Sequence, residues 1–147
     1  MSNGTADDTA DDTADDTADD TADDTGTGAA RAERDPECLF CRIVAGELPA
    51  DVVHETATTL AFRDVSPQAP THVLVVPRSH RPDAASLAAA EPAVLVDMVE
   101  AARAVAEGDG LDDGYRMVFN TGPAAQQTVF HAHLHVLGGR PMQWPPG

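Results

Sequence analysis

Lysine is absent from this chain of 147 residues, and nine arginines stand against 25 acidic residues. The arginines are scattered along the sequence, whereas binding to a nucleic-acid backbone requires clustered cations, so we expect no nucleic-acid partner. No stretch approaches about 20 continuous apolar residues, and the chain does not start with the basic and apolar segments of a secretory leader. These absences predict a soluble cytoplasmic protein with no membrane partner.

An acidic repeat fills the N-terminal segment. The tetrapeptide Thr-Ala-Asp-Asp occurs five times from Thr5 to Asp24, with no large apolar residue among them. Such a segment has nothing to bury against the entropy of ordering, so residues 1–34 are predicted to be a disordered acidic tail. The tail is either a solvating segment or a surface for a partner. Residues 35–147 are predicted to form one domain.

The negative charge extends beyond the repeat. The net charge is −16, and the 15 acidic residues outside the repeat still exceed the nine arginines. Abundant negative charge without lysine is typical of proteins that stay hydrated in strong salt, and we therefore hypothesise a halophilic source. A stability that rises from low to molar KCl would support this hypothesis, and full stability at low salt would contradict it.

The order of apolar patterns predicts an α+β domain with a mainly antiparallel sheet, because short links join successive strands. Asp35 is predicted to cap the first helix and Gly46 to end it. The predicted elements are a short helix at 38–44, strands at 52–55, 58–64 and 72–77, a long helix at 91–107, and strands at 115–120 and 129–137.

Three histidines alternate with apolar residues in the last predicted strand. His131, His133 and His135 therefore share one face, while the residues between them point into the core. A single histidine on an apolar face is usually a core residue, but three that repel one another when protonated favour a site for an anion. Neutral imidazole is nucleophilic, and the central His133 is the natural nucleophile for attack on phosphorus because a histidine on each side can orient it.

The only two cysteines form a second constellation. Cys38 and Cys41 are too few and too close for a secreted disulfide framework, but two thiolates at this spacing can chelate one Zn²⁺. Tetrahedral zinc needs two more ligands, for which His80 and His131 are the candidates. The alternative is an ordinary buried helix that carries two cysteines.

From about Cys38 to Gly147 the sequence resembles the histidine triad (HIT) family of nucleotide hydrolases and transferases, in particular its purine nucleoside phosphoramidase branch. The resemblance rests on the triad together with three blocks, which are residues 60–72, 114–120 and 138–147. It implies a HIT-like fold of five mainly antiparallel strands with two helices, and a homodimer formed through the long helix and a sheet edge.

The resemblance also implies roles for individual residues. Its catalytic group is His133, which forms a covalent nucleotidyl intermediate, with His131, His135 and His72. Its nucleotide-binding positions are Phe40, Ile43 and Phe62 for the base, Asp64 for the ribose, Asn120, Gln127 and Thr128 for phosphate, and Trp144 in a tail that reaches the neighbouring subunit's site. Its structural zinc site is Cys38, Cys41, His80 and His131.

Some of these positions have simpler interpretations. The three base-contacting residues are equally suited to the core, Asp64 to capping the turn at Ser66, and Trp144 to packing. The segment Gly122–Thr128 carries alanine and glutamine where the family usually has glycine, and threonine where it usually has serine. Because glycine permits close approach to phosphate, this departure weakens the implied phosphate contacts.

Three functions follow from this sequence. The first is a hydrolase that cleaves adenosine or guanosine 5′-phosphoramidates into the nucleoside monophosphate and an amine. The second is a dinucleoside polyphosphate hydrolase that uses the same residues. The third is a nucleotide-binding regulator without turnover, which the altered loop before the triad motivates. A zinc-stabilised adaptor that works through its acidic tail is a further, weaker alternative.

Overall fold

A computed structural model describes residues 34–147, in which five strands form a single antiparallel sheet in the order β1-β2-β3-β5-β4. The predicted α+β class and antiparallel sheet are therefore confirmed. The predicted tail lies outside the described residues except for Arg34. The elements in chain order are α1 (Leu39–Val44), β1 (Val52–Glu55), β2 (Thr59–Arg63), β3 (Thr71–Pro77), α2 (Ala84–Ala90), α3 (Pro92–Gly108), β4 (Tyr115–Val118) and β5 (Leu134–Gly138).

The two faces of the sheet are covered differently. The alternating residues Val73, Val75 and Val136 point to one face, where they form the main core with Met98 and other residues of α3. The opposite face packs against α1 only along β2 and β3, through the second core cluster of Cys38, Phe40, Cys41, Leu60, Phe62, Leu74 and Val76. The β4–β5 half of that face lines an open pocket instead.

The start of the first helix differs from the prediction. Cys38 is the N-cap, and its Sγ accepts a hydrogen bond from the Cys41 backbone N–H at 3.5 Å. The predicted cap, Asp35, accepts from the Glu37 backbone N–H at 2.9 Å and so stabilises a separate turn. Such local bonds compete with helix capping. Gly46 follows the helix with a φ of 77°, as predicted for the residue that ends it.

A second helix, α2, was not predicted. Asp83 caps it by accepting from the Ser86 backbone N–H at 2.8 Å, and its Ala-rich sequence buries only Leu87. One buried residue gives too weak a periodicity to detect, although the Asp-Ala-Ala-Ser sequence carries the cap signal. The long helix is confirmed, with Pro92 in its first turn. No helix among residues 34–147 is long and apolar enough to span a membrane.

The last strand is shorter than predicted. β5 begins at Leu134, so His131 and His133 precede it. The cause is at the end of β3, where Pro77 has no N–H to donate and its carbonyl oxygen bonds the His131 side chain instead. Ala132, Leu134 and Val136 are nevertheless at most 1% exposed, so the predicted apolar side of the segment is correct.

Candidate active site and metal cluster

Four side chains, Cys38, Cys41, His80 and His131, converge where α1 meets the loop after β3 and the segment before β5. The Nδ1 atoms of His80 and His131 are 3.2 Å apart, and the Cys41 Sγ lies 3.3 Å and 3.5 Å from them. The Cys38 Sγ is 3.5 Å from His131 Nδ1. Ligand atoms around tetrahedral zinc are separated by about 3.3–3.8 Å, given Zn–S and Zn–N bonds of about 2.3 Å and 2.0–2.1 Å.

The protonation of His131 suits a metal ligand. Its Nε2 lies 2.9 Å from the Pro77 carbonyl oxygen, which only accepts, so Nε2 carries the proton and Nδ1 keeps its lone pair toward the thiols. Burial lowers the pKa of His131 to about 4, which keeps the ring neutral. Burial raises the pKa of Cys41 to about 11, and a bound cation would oppose this effect by favouring the thiolate. This donor set fits a structural zinc.

The loop that supplies His80 is fastened to the start of α3. One carboxylate oxygen of Glu91 accepts from Ser79 Oγ and from Arg81 Nε, each at 2.9 Å. The Arg81 carbonyl oxygen then accepts from the Ala132 backbone N–H at 2.7 Å. Glu91 therefore links the His80 loop to the triad segment.

The unprotonated ring nitrogen of His133 is Nε2, whereas that of His131 is Nδ1. Its Nδ1 lies 2.8 Å from the His131 carbonyl oxygen, so Nδ1 carries the proton and Nε2 keeps its lone pair. The Phe40 ring and the imidazole form a T-shaped contact with the ring centroids 5.1 Å apart, which restricts rotation of the imidazole. The contacts of the ring thus leave Nε2 as the nitrogen available for nucleophilic attack.

His72 and His135 form a hydrogen-bonded pair beside it. The Gln68 backbone N–H donates to His72 Nδ1 at 3.0 Å, so the proton of a neutral His72 is on Nε2, which lies 2.9 Å from His135 Nδ1. His135 must then carry its own proton on Nε2. This nitrogen is buried and has no partner among residues 34–147, so it is a donor positioned for an incoming acceptor.

The pair stays neutral for an electrostatic reason. Burial, together with the adjacent His133 and His72, lowers the pKa of His135 to about 4. Burial also lowers the pKa of His72, although the Asp64 carboxylate, 3.4 Å away, opposes this effect. Asp64, His72 and His135 resemble a second metal cluster in spacing alone. The backbone donor on His72 Nδ1 opposes metal binding there, because a neutral ring cannot leave both nitrogens unprotonated.

The predicted base and ribose positions lie together near the triad. Phe40 and Phe62 are buried and stack edge to face at 5.7 Å, and Ile43 packs beside them, so all three are core residues whatever else they contact. The Asp64 carboxylate accepts from the Ser66 backbone N–H at 2.8 Å, as its capping interpretation predicted. Its other oxygen faces His72.

The predicted phosphate-binding and tail positions are more dispersed. Asn120 lines the pocket with His135. The Gln127 side chain is buried and bonded to the Gly122 N–H and to the carbonyls of residues 82 and 129, so it braces the loop. Thr128 is exposed in a groove that also contains His80. Trp144 is 82% exposed, which contradicts a packing role within the chain. The sequence-based interpretation missed Glu91, Arg116 and Arg140, for which a charged residue outside any recognised motif was the only signal.

The comparisons with known proteins agree with this geometry. The family model of the HIT domain matches residues 45–142. A 14 kDa zinc-binding protein of Zea mays is 45% identical over 122 residues, which cover 81% of this chain and 94% of that protein. A HIT family hydrolase from Legionella pneumophila Philadelphia 1 is 47% identical with a TM-score of 0.72, covering 75% of this chain and 99% of that one.

A Zn-bound histidine triad family protein from Mycobacterium smegmatis is 36% identical, with a TM-score of 0.64 and coverage of 71% of this chain and 76% of that one. The matched domain covers more than half of the sequence, and the fold agrees with the solved structures. The chain therefore belongs to the HIT family.

Proposed function

We propose that this protein hydrolyses purine nucleoside 5′-phosphoramidates through a nucleotidyl intermediate on His133. The observation that carries the proposal is the pairing of an unprotonated His133 Nε2 with the buried, partnerless Nε2–H of His135. One atom can attack phosphorus, and the other can donate to a phosphoryl oxygen as negative charge develops on it. The HIT family hydrolase to which the chain is similar supports this reaction class.

The reaction has two steps. His133 Nε2 attacks phosphorus, the P–N bond breaks, and the leaving nitrogen departs as an amine after it takes a proton from solvent. His135 is not the source of that proton, because a neutral imidazole that lost its last N–H would become an anion. Water then attacks phosphorus and gives its proton to solvent, which releases the nucleoside monophosphate and restores neutral His133. Throughout, the His131 carbonyl stabilises the charge on His133 through Nδ1–H.

We also propose that Cys38, Cys41, His80 and His131 bind one structural Zn²⁺. Their donor atoms all lie within 4.8 Å of one another, and the names of the Zea mays and Mycobacterium smegmatis proteins record zinc in relatives. Bound zinc would tie α1 to the His80 loop and to the triad segment. His133 is outside this donor set and so stays free for chemistry.

We further propose a homodimer in solution. The long helix α3 exposes Val96 and Val99, which are 58% and 41% exposed, and the edge strand β4 exposes Met117 at 44%. An unpaired strand edge beside apolar side chains favours pairing with a second copy. Light scattering should give twice the mass of the chain, whereas a monomer at micromolar concentration would contradict the dimer.

The test of the main proposal uses a fluorogenic adenosine 5′-phosphoramidate and diadenosine tetraphosphate, at low and molar KCl. We expect turnover of the phosphoramidate that His133→Ala abolishes, while AMP still binds the variant. Preferential turnover of the dinucleotide would make the protein a polyphosphate hydrolase. Absence of turnover on both, with AMP bound, would contradict the enzyme and favour the regulator.

A further inference from the structure

Arg116 and Arg140 differ from the paired arginines of the described domain. Four arginines contact carboxylates, namely Arg42, Arg63, Arg78 and Arg81. Arg116 donates instead to the Gln143 carbonyl oxygen at 2.8 Å, and Arg140 to the Gln68 carbonyl oxygen at 2.9 Å. No carboxylate of residues 34–147 forms a salt bridge with either. Backbone carbonyls orient a guanidinium without neutralising it, so both positive charges remain available.

Both arginines line the pocket beside the hydrogen-bonded pair His72 and His135. This open pocket of about 390 Å³ is also lined by His72, by His135 and by the tail residue Gln143. Arg116 is opposite Leu137 in the sheet, and Val118 is opposite His135, so Arg116 and His135 share a face. In a chain of strongly negative net charge, this pocket gathers two guanidiniums that no carboxylate of residues 34–147 pairs with. That combination suits an anion.

The position of Arg116 separates this anion from the phosphorus that reacts. Leu137, its sheet partner, is four residues beyond His133, a distance of about 13 Å along an extended chain. An arginine side chain reaches roughly half of that distance, so an anion bound at the Arg116 guanidinium would be several bonds away from the phosphorus. The predicted base and ribose contacts are on α1, on β2 or just after β2, and β3 and β5 separate β2 from β4. The group near Arg116 is therefore on the leaving side.

We propose that Arg116 and Arg140 form a subsite for a negatively charged leaving group, a carboxylate or a phosphate attached to the group that is expelled from phosphorus. This inference rests on the proposed function and narrows its substrate class. The guanidinium fork matches the two oxygens of either anion. The natural substrate is then an N-linked amino acid nucleotide or a polyphosphate, and not the phosphoramidate of a simple neutral amine.

The kinetic test compares two substrates that differ in charge and hardly in size, the adenosine 5′-phosphoramidates of alanine and of alaninamide. For the wild type we expect kcat/KM to be about 10-fold higher with the carboxylate. Arg116→Gln and Arg140→Gln should each remove most of this preference with little effect on alaninamide, and Arg116→Lys should keep part of it. Arg103→Gln is the matched control, since it removes the same charge from α3 on the other side of the sheet.

A binding experiment tests the subsite even if the protein is not a hydrolase. In His133→Ala, calorimetry would give Kd for the same two compounds and for ADP against AMP. Tighter binding of the alanine compound than of the alaninamide compound would show that the subsite takes a carboxylate. Tighter binding of ADP than of AMP would show that it takes a phosphate. Either preference supports the subsite if the double variant Arg116→Gln, Arg140→Gln abolishes that preference. Equal affinities within each pair, or a preference that survives the double substitution, would overturn it. Failure of the wild type to hydrolyse either compound would remove only the hydrolase.

Discussion

His131 and His133 are two residues apart and chemically identical, yet the fold gives them different free nitrogens. His131 donates its Nε2–H to the Pro77 carbonyl and turns Nδ1 toward two thiols. His133 donates its Nδ1–H to the His131 carbonyl and leaves Nε2 free. In each ring a backbone carbonyl selects the tautomer, and the tautomer decides whether the ring suits a metal or a phosphorus atom.

The surroundings of the two histidines reinforce this difference. His131 is fully buried, and three potential metal ligands, Cys38, Cys41 and His80, lie around its Nδ1. His133 keeps 9% of its surface exposed and contacts Phe40 and His135. We propose that His131 serves the zinc site and His133 the reaction, so substitutions around them should separate stability from turnover.

The largest expected effect comes from removing a ligand of the proposed zinc site. Cys41→Ser should lose the zinc and lower the melting temperature by roughly 10 °C or more, because a structural zinc contributes directly to folding. His133→Ala should retain the zinc and melt much closer to wild type, but it should lose turnover by about 10⁴-fold or more. Metal analysis, calorimetric melting and the hydrolysis assay give the three readouts.

Chelation provides the control for this comparison. A wild type stripped with a chelator should melt near Cys41→Ser, and added zinc should restore only the wild type. Equal zinc content in the variant and the wild type would contradict the assignment of Cys41. A His133→Ala protein that loses its metal would show that the two histidines do not have separate roles.

Glu91→Gln should destabilise the loop that carries His80 without changing any of the proposed metal ligands. The carboxylate fastens Ser79 and Arg81, and through the Arg81 carbonyl it supports Ala132 between the two histidines. We expect a loss of about 1–2 kcal/mol in the free energy of unfolding, since charge-assisted bonds of a half-buried carboxylate are lost. Zinc affinity should fall as His80 becomes less restrained, which a competition titration with a chromophoric chelator would measure.

Glu55→Gln is the matched control for Glu91→Gln. Glu55 also pairs with an arginine, Arg78, at 3.3 Å, but its side chain is 67% exposed. Exposed pairs contribute about 0–1 kcal/mol, so this variant should retain zinc affinity and nearly all of its stability. Similar losses in both variants would mean that Glu91 has no special role in positioning the loop.

The lowered pKa of His135, which contacts His133, can be tested by measuring how stability depends on pH. Because burial lowers the pKa of His135 to about 4, the unfolded chain binds more protons than the folded one between about pH 4 and pH 6.5. His135 should therefore make the protein about 1–2 kcal/mol less stable at pH 5 than at pH 7.5. The groups that face it are His72, His133 and the Asp64 carboxylate, and only the carboxylate opposes the shift.

His135→Gln should reduce this dependence, because glutamine keeps an N–H donor but does not titrate. Chemical denaturation at both pH values would give the two free energies for each protein. A variant whose stability falls as steeply as that of the wild type would assign the acid sensitivity to other groups, among them the zinc ligands.

The sequence predicted which residues meet at the site better than it predicted their roles. Alternation correctly placed Ala132 and Leu134 in the core, and the cysteine spacing correctly paired Cys38 with Cys41. Neither pattern contains the carbonyl of Pro77, which is 54 residues before His131 and fixes its tautomer. Backbone acceptors have no sequence signature, so the pattern favoured the central His133 as the nucleophile but gave the tautomer of neither ring.

The same limitation explains the strand that was predicted too long. Alternation over residues 129–137 is typical of a strand, and the side chains do alternate, but β3 has already ended at Pro77. A strand forms only where a neighbouring strand offers hydrogen bonds, and that neighbouring strand can be far away in the sequence. Glu91 was missed for a related reason, since its importance comes from the loop carbonyl that it supports indirectly.

The smallest expected effect concerns the loop that leads into the triad. Gln126 has a φ of 67°, a left-handed conformation that costs a non-glycine residue about 1 kcal/mol. Gln126→Gly should remove this strain but increase the freedom of the unfolded chain, for a net gain in stability of less than about 1 kcal/mol.

At the neighbouring position, Ala125→Gly should instead cost about 0.5–1 kcal/mol of stability, because Ala125 is in the 3₁₀ turn Pro123–Ala125 and has no strain to relieve. Turnover should stay within about 2-fold in both variants, since the buried Gln127 amide holds the loop shape. A large rise in turnover with Gln126→Gly alone would show that the missing glycine, rather than the Gln127 brace, controls how the loop presents phosphate to His133.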